Sequence, residues 1–106
     1  AEGQYRQYCA DCHGKQGQGR DGVFPPLAGS RTVLRVDAGN VLRSILHGGY
    51  APSTEANPAP HGMPPFMQVL NDAEIAALAS YIRSAWGNQA PAVATIEVFR
   101  ARQGRP

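Results

Sequence analysis

The sequence has 106 residues, enough for one small domain. Hydrophobic residues make up 42%, yet only 20 of the 106 are Leu, Ile, Val or Phe, and Gly and Pro together number 21. That is about a fifth Gly and Pro, against an average near 12%. Such a composition ordinarily accompanies disorder and high net charge, but here the formal charge is only +2. The chain therefore needs something besides its own side chains to complete a core. The longest apolar run, Ile75 to Ala79, spans five residues, far short of a membrane span or a signal-peptide core. One Lys and scattered Arg residues form no nucleic-acid stripe. Two cysteines exclude a multi-disulfide scaffold.

In chain order, the spacing predicts a first helix over Gly3–Cys12, with Tyr5, Tyr8 and Cys9 on one side and Gly14 as its stop. Residues 14–29 carry five glycines and the pair Pro25-Pro26, which support neither a helix nor a central strand. A second helix is predicted over Ala38–Leu46, N-capped by Asp37, with Val41, Leu42, Ile45 and Leu46 as its apolar face and Gly48-Gly49 as its end. Residues 50–65 hold five of the nine prolines and read as a long, stiff loop. Asn71 with Glu74 starts the third helix, whose apolar face runs Ile75, Leu78, Ala79, Ile82 and Trp86, with Gly87 closing it. The chain thus reads as all-α. Residues 1–88 form one domain, and 89–106 form a C-terminal tail with a short helix near Thr95–Arg102.

Cys9-Ala10-Asp11-Cys12-His13 is the motif that carries chemistry. Two thiols three positions apart share one side of a helical turn, at a spacing that spans the two vinyl groups of a haem. The imidazole of the next residue then points at the iron. The competing readings are a thioredoxin-like dithiol, half of a zinc site and a plain disulfide. The first lacks its βαβ context. Zinc would have to draft His47 and His61, which have no paired spacing to the cysteines. A disulfide this short would stabilise little.

A low-spin electron carrier needs a second axial ligand on a rigid segment far along the chain. Met63, in His61-Gly62-Met63-Pro64-Pro65-Phe66, meets that need, because Pro64 keeps Met63 out of helical conformation and Pro65 stiffens the chain beyond it. Met67, His61 and His47 remain competitors. A lone Met before a helix is commonly core filler, His61 sits two residues away, and an imidazole at a helix end commonly meets the last carbonyls.

With Cys9–His13, Gly17-x-Gly19, Phe24-Pro25-Pro26-Leu27-Ala28-Gly29, Gly62–Phe66 and Asn71–Asn88 in place, the chain resembles the class I c-type cytochromes over residues 3–87. Its nearest likeness is to the small cytochrome domains and subunits of bacterial dehydrogenases, such as quinohaemoprotein alcohol dehydrogenases. The resemblance implies the class I fold, with three main helices and Gly/Pro-rich loops wrapped around one covalently bound haem c. It places thioethers at Cys9 and Cys12 and iron ligands at His13 and Met63. The Pro25 carbonyl would receive the free N–H of His13, as a metal-bound imidazole usually requires. The resemblance also matches Leu78 and Tyr81 to the crossing of the first and last helices, with Tyr5 supporting it. Trp86 reads as core or as a surface anchor. For the haem propionates the candidates are Tyr50, Arg20 and Arg31. Many electron-transfer cytochromes present a ring of lysines; this chain has Lys15 alone, so docking would rest on apolar contact around the haem edge.

The function expected is therefore a mono-haem electron carrier between a dehydrogenase and a respiratory acceptor, with iron cycling between ferric and ferrous, and no enzyme by itself. The alternative is a haem domain with an exchangeable sixth ligand, acting in small-ligand binding or peroxidase-like chemistry. The resemblance implies redox partner proteins and a bacterial periplasmic setting, soluble or at the membrane surface within a complex. The start at Ala1 fits a removed signal peptide or an excised domain equally well.

Overall fold

Helix α1 (Glu2–Tyr8) and the short α2 (Ala10–His13) form one bent rod in the computed structural model, which describes residues 2–21, 23–50 and 62–103, and for 49, 50 and 62 the backbone alone. The bend falls at Cys9 (φ −120°, ψ −31°). Hydrogen bonding continues across it, with Cys9 N–H donating to the Tyr5 carbonyl and His13 N–H to the Cys9 carbonyl, both at 2.9 Å. The helix expected over 3–12 thus runs on to His13 and bends at the first cysteine. Gly14 ends the rod, and its carbonyl accepts the Tyr5 hydroxyl at 2.6 Å.

The glycine-rich segment beyond the rod folds back on itself. Leu27 and Ala28 N–H both donate to the Gly17 carbonyl, at 2.7 and 2.9 Å, and Gly19 N–H donates to the His13 carbonyl at 2.7 Å. A single turn, α3 (Arg31–Leu34), comes next, capped weakly by Ser30 Oγ on Val33 N–H at 3.4 Å; residue spacing predicts no helix there. Helix α4 (Gly39–His47) buries Val41, Leu42, Ile45 and Leu46, the face expected of it. Its N-cap is Ala38 rather than Asp37, and Ala38 makes no side-chain cap. Asp37 stands one residue further out, its carboxylate accepting Gly39 N–H at 2.7 Å in a local Asx turn. A two-residue antiparallel ladder then pairs β1 (Gly49–Tyr50) with β2 (Gly62–Met63). Of the proline-rich loop read over 50–65, residues 51–61 lie outside the described residues.

Helix α5 (Asp72–Ser84) starts on the capping box its sequence announces. Asn71 Oδ1 accepts Glu74 N–H and Glu74 Oε1 accepts Asn71 N–H, both at 2.8 Å. The helix stops at Ser84, short of Trp86: its C-cap Ala85 is extended (φ −87°, ψ 166°), and Trp86 follows with a left-handed backbone (φ 54°). That turn lays the indole against Tyr5, ring centroids 4.9 Å apart, and against Tyr81 at 5.7 Å. Tyr5 and Tyr81 are themselves 5.7 Å apart, so three aromatics seal the α1–α5 crossing. At the far end of α5, Arg83 is buried and donates to the carbonyls of Val33, Arg35 and Val36, closing the C-terminal end of α3.

The segment after α5 packs on the rest of the chain. Ser80 Oγ accepts Val93 N–H at 2.8 Å and Ala90 N–H donates to the Arg83 carbonyl at 2.9 Å. Helix α6 (Thr95–Arg102) buries Val98 completely against α5 and α4. Apart from the short ladder and an isolated bridge between Arg20 and Phe24, the regular structure of the described residues is helical.

Candidate haem site

One cleft gathers residues from α1–α2, the 25–33 segment, α4, the loop after β2 and α5. Cys9, His13, Pro25, Met63 and Phe66 line it together with Ile45, Leu78 and Ile82. It encloses a cavity of about 240 Å³ that opens to solvent. Its walls are mainly apolar, and the hydroxyls of Ser30, Thr32 and Ser44 interrupt them.

His13 is buried, and its Nδ1 lies 2.8 Å from the Pro25 carbonyl oxygen. A carbonyl can only accept, so Nδ1 carries the proton; in the neutral imidazole this tautomer leaves the Nε2 lone pair for a metal. The loop bearing Pro25 is held from behind by Asn88. Asn88 Oδ1 accepts Gly29 N–H at 2.8 Å, while Nδ2 donates to the carbonyls of Leu27 at 3.2 Å and Ile82 at 2.9 Å. Gly17, whose carbonyl anchors Leu27 and Ala28, must be glycine: a Cβ there would sit 2.5 Å from the Trp86 ring.

Cys9 is buried and Cys12 exposed, and the two are not joined to each other. Burial pushes the Cys9 thiol up to about 11, and the neighbouring Cys12 adds to the rise. Reactive and zinc-binding cysteines need the opposite, a positive environment that favours thiolate. Among the described residues no three His, Cys, Asp or Glu side chains gather as a metal cluster. The dithiol and zinc readings therefore have no support here.

Met63 reaches the cleft from a segment clamped to the end of α4. The ladder sets Met63 opposite Gly49, and Phe66 and Met67 N–H donate to the carbonyls of Ile45 and Leu46 at 2.9 and 3.2 Å. Met67 packs against the core and does not line the cleft. His47 ends α4 in an exposed position, and His61 lies outside the described residues. Arg20 and Arg31 are exposed and do not line the cleft; the Tyr50 side chain lies outside the described residues. Sequence reasoning does not reach Ser30, Thr32, Ser44, Asn88 and Arg83. Only Ser30, after a glycine and before a helical turn, carries a local signal.

Taken together, an apolar cleft, an imidazole with one free nitrogen, a thioether and two cysteines at vinyl spacing suit a covalently bound haem. Comparison with known proteins agrees. Residues 1–82 match the family described as cytochrome c oxidase, cbb3-type, subunit III, and the chain belongs to this family of c-type cytochromes, with their class I fold and covalently bound haem c. That membership implies electron transfer by a haem cytochrome.

More particularly, it is 38% identical over 87 residues to the cytochrome c subunit of alcohol dehydrogenase (quinone) from Gluconobacter oxydans (strain 621H), covering 82% of this chain and 18% of that one. It is 32% identical over 103 residues to the fructose dehydrogenase cytochrome subunit of Gluconobacter japonicus, covering 94% of this chain and 21% of the other. With cytochrome c-552 of Thermus thermophilus it shares 35% identity over 83 residues, covering 76% of this chain and 63% of that one. The chain spans about a fifth of the length of the dehydrogenase subunits.

Proposed function

We propose that this chain relays single electrons from a dehydrogenase to a respiratory acceptor, in the bacterial periplasm or at its membrane face, through one haem. Cys9 and Cys12 would hold that haem by thioethers, and His13 and Met63 would be its axial ligands. The observation that carries the reading is the His13–Pro25 hydrogen bond, which fixes the imidazole ring in the cleft that Met63 also lines. When bound, the haem supplies a one-electron ferric/ferrous couple, and a thioether ligand favours the ferrous state and raises the potential.

The chain's own part is to orient the ligands and exclude water. Ile45, Leu78, Ile82 and Phe66 give the cleft its dry walls, and the Pro64-Pro65 pair stiffens the Met63 segment. Tyr50, Arg20 and Arg31 are the candidate partners of the haem carboxylates, joined by the hydroxyls of Ser30 and Thr32 on the cleft wall. Residues 1–88 make the haem-binding unit and 89–106 its C-terminal tail, of which 89–103 pack against it. Pro25, Pro26, Pro64 and Pro65 are exposed and the first two line the cleft, which suits docking by apolar contact with little electrostatic steering. The dehydrogenase donor is inferred from the relatives' names.

Intact mass tests the attachment. The protein should carry one haem and no free thiol, and Cys9→Ser or Cys12→Ser should each leave a single thioether. Two alkylatable thiols in the haem-loaded protein would overturn it. Stopped-flow reduction by a quinone-dependent alcohol dehydrogenase, with its substrate present, tests the donor; reduction no faster than with substrate omitted counts against it.

A further inference from the structure

Arg102 ends α6, beyond the span matched to the family, yet it grips the segment that carries Met63. Its Nε donates to the Asp72 carboxylate, Nη1 to the Met67 carbonyl and Nη2 to the Leu70 carbonyl, the last at 2.5 Å. Among the described residues it is the one side chain that hydrogen-bonds to the backbone of residues 64–70. The Met67 residue is thereby held from both sides, its N–H by the Leu46 carbonyl of α4 and its carbonyl by α6. Pro64 and Pro65 have no N–H to offer, so between the Met63–Gly49 pairing and α5 the segment is tied to α4 by the Phe66 and Met67 N–H groups. The grip also has a firm base, since α6 is anchored by fully buried Val98 and by the Ser80–Val93 pair. Three acceptors in diverging directions suit the planar guanidinium fork, and a lysine could not satisfy them together.

We propose that Arg102 is a positioning residue for the sixth haem ligand. Through the Met67 and Leu70 carbonyls it holds the Met63 segment closed, so that α6 sets how readily Met63 leaves the iron. This rests on the reading of Met63 as an axial ligand. It gives the C-terminal helix a part in the chemistry rather than in folding alone. Removing the guanidinium frees two carbonyls that charge-assisted bonds had fixed, and the closed arrangement loses its advantage over the open one.

The test uses the haem-loaded protein under native conditions, with cyanide as the probe and its limiting binding rate to the ferric form as the report on Met63 release. The far-red methionine–ferric band of the unsubstituted protein is read first; without it the Met63 reading itself has failed, whatever Arg102 does. With the band present, Arg102→Ala should speed limiting cyanide binding by about ten- to a hundredfold, and Arg102→Lys should fall between. Arg100→Ala, an exposed neighbour on the same helix, should leave the rate unchanged. Val98→Ala, matched for loss of unfolding stability, separates the guanidinium from general loosening of α6. An unchanged rate in Arg102→Ala, or an equal acceleration in Val98→Ala, would overturn the proposal.

Discussion

Gly48 lies directly behind Met63: a Cβ on Gly48 would overlap the Met63 carbonyl oxygen and crowd Pro64 and Pro65. Gly48 also holds φ 68° and ψ −161°, a conformation open almost only to glycine. The stop of α4 and the placement of the methionine segment are therefore one event. Gly48→Ala should cost about 1–3 kcal/mol from backbone strain alone, read by urea unfolding, and should weaken the methionine–ferric band at neutral pH. Unfolding and band both unchanged would show that the close approach is not required.

Asn88 does for the His13 side what Gly48 does for the Met63 side. Its amide joins Gly29, Leu27 and Ile82, tying the loop that carries Pro25 to the end of α5. Asn88→Ala leaves buried groups unpaired and should cost about 2–4 kcal/mol. The N–H resonance of His13 Nδ1 should then exchange faster with solvent, because the Pro25 carbonyl is no longer held over it. A loss below about 0.5 kcal/mol would place Asn88 with ordinary surface substitutions.

Tyr5 supplies a pH signature. Burial, then the neighbouring Cys9 and Tyr81, raise its phenol above the ordinary tyrosine range; with Cys9 in a thioether, burial remains the leading cause. A raised folded-state pKa means that the stabilising contribution is complete below the unfolded value near 10 and is lost as pH rises through the folded one. Tyr5 phenolate absorbance should therefore appear only together with alkaline unfolding tracked by circular dichroism. In Tyr5→Phe the fall of stability above about pH 10 should be shallower. At neutral pH the same variant should lose about 1 kcal/mol with the bond to the Gly14 carbonyl. Ionisation of all four tyrosines in the folded protein would contradict this.

What the sequence disclosed was local, and what it hid was long-range. The capping box of α5 and the apolar face of α4 arise from spacings of three and four residues. Periodicity also carries the third helix through to Trp86, but the indole meets Tyr5 on α1 and turns the backbone left-handed two residues past the helix end. Asp37 satisfies the rule for an N-cap and spends its carboxylate on an Asx turn one residue outside it. Arg83 carries no local signal, and it is buried because three carbonyls around α3, about 50 residues earlier, converge on it. Asn88, at the end of the domain, and Arg102, in the tail, give no local sign of their roles for the same reason: their partners lie as far as 61 and 35 residues away. The Cys9–His13 motif is legible as chemistry because it is contiguous, whereas the hydroxyls of the cleft wall come together only in three dimensions.

The composition has a direct consequence. Val41, Ile45, Phe66, Leu78 and Ile82 turn toward the cleft as well as toward one another, so the core of this small chain is completed by the haem. Cys9→Ala/Cys12→Ala protein recovered free of haem should show little helical signal by circular dichroism and no cooperative thermal transition. A sharp, haem-free melt would mean that the side chains suffice.

The central claim, a His13/Met63-ligated electron relay, is tested most directly by the oxidised and reduced optical spectra, extended to the far red, of the unsubstituted protein beside Met63→Ala and Met67→Ala. The account predicts a low-spin spectrum with a methionine–ferric charge-transfer band that vanishes in Met63→Ala and persists in Met67→Ala. A band that survives Met63→Ala, or a high-spin spectrum that shifts at once on adding carbon monoxide to the reduced protein, would contradict it.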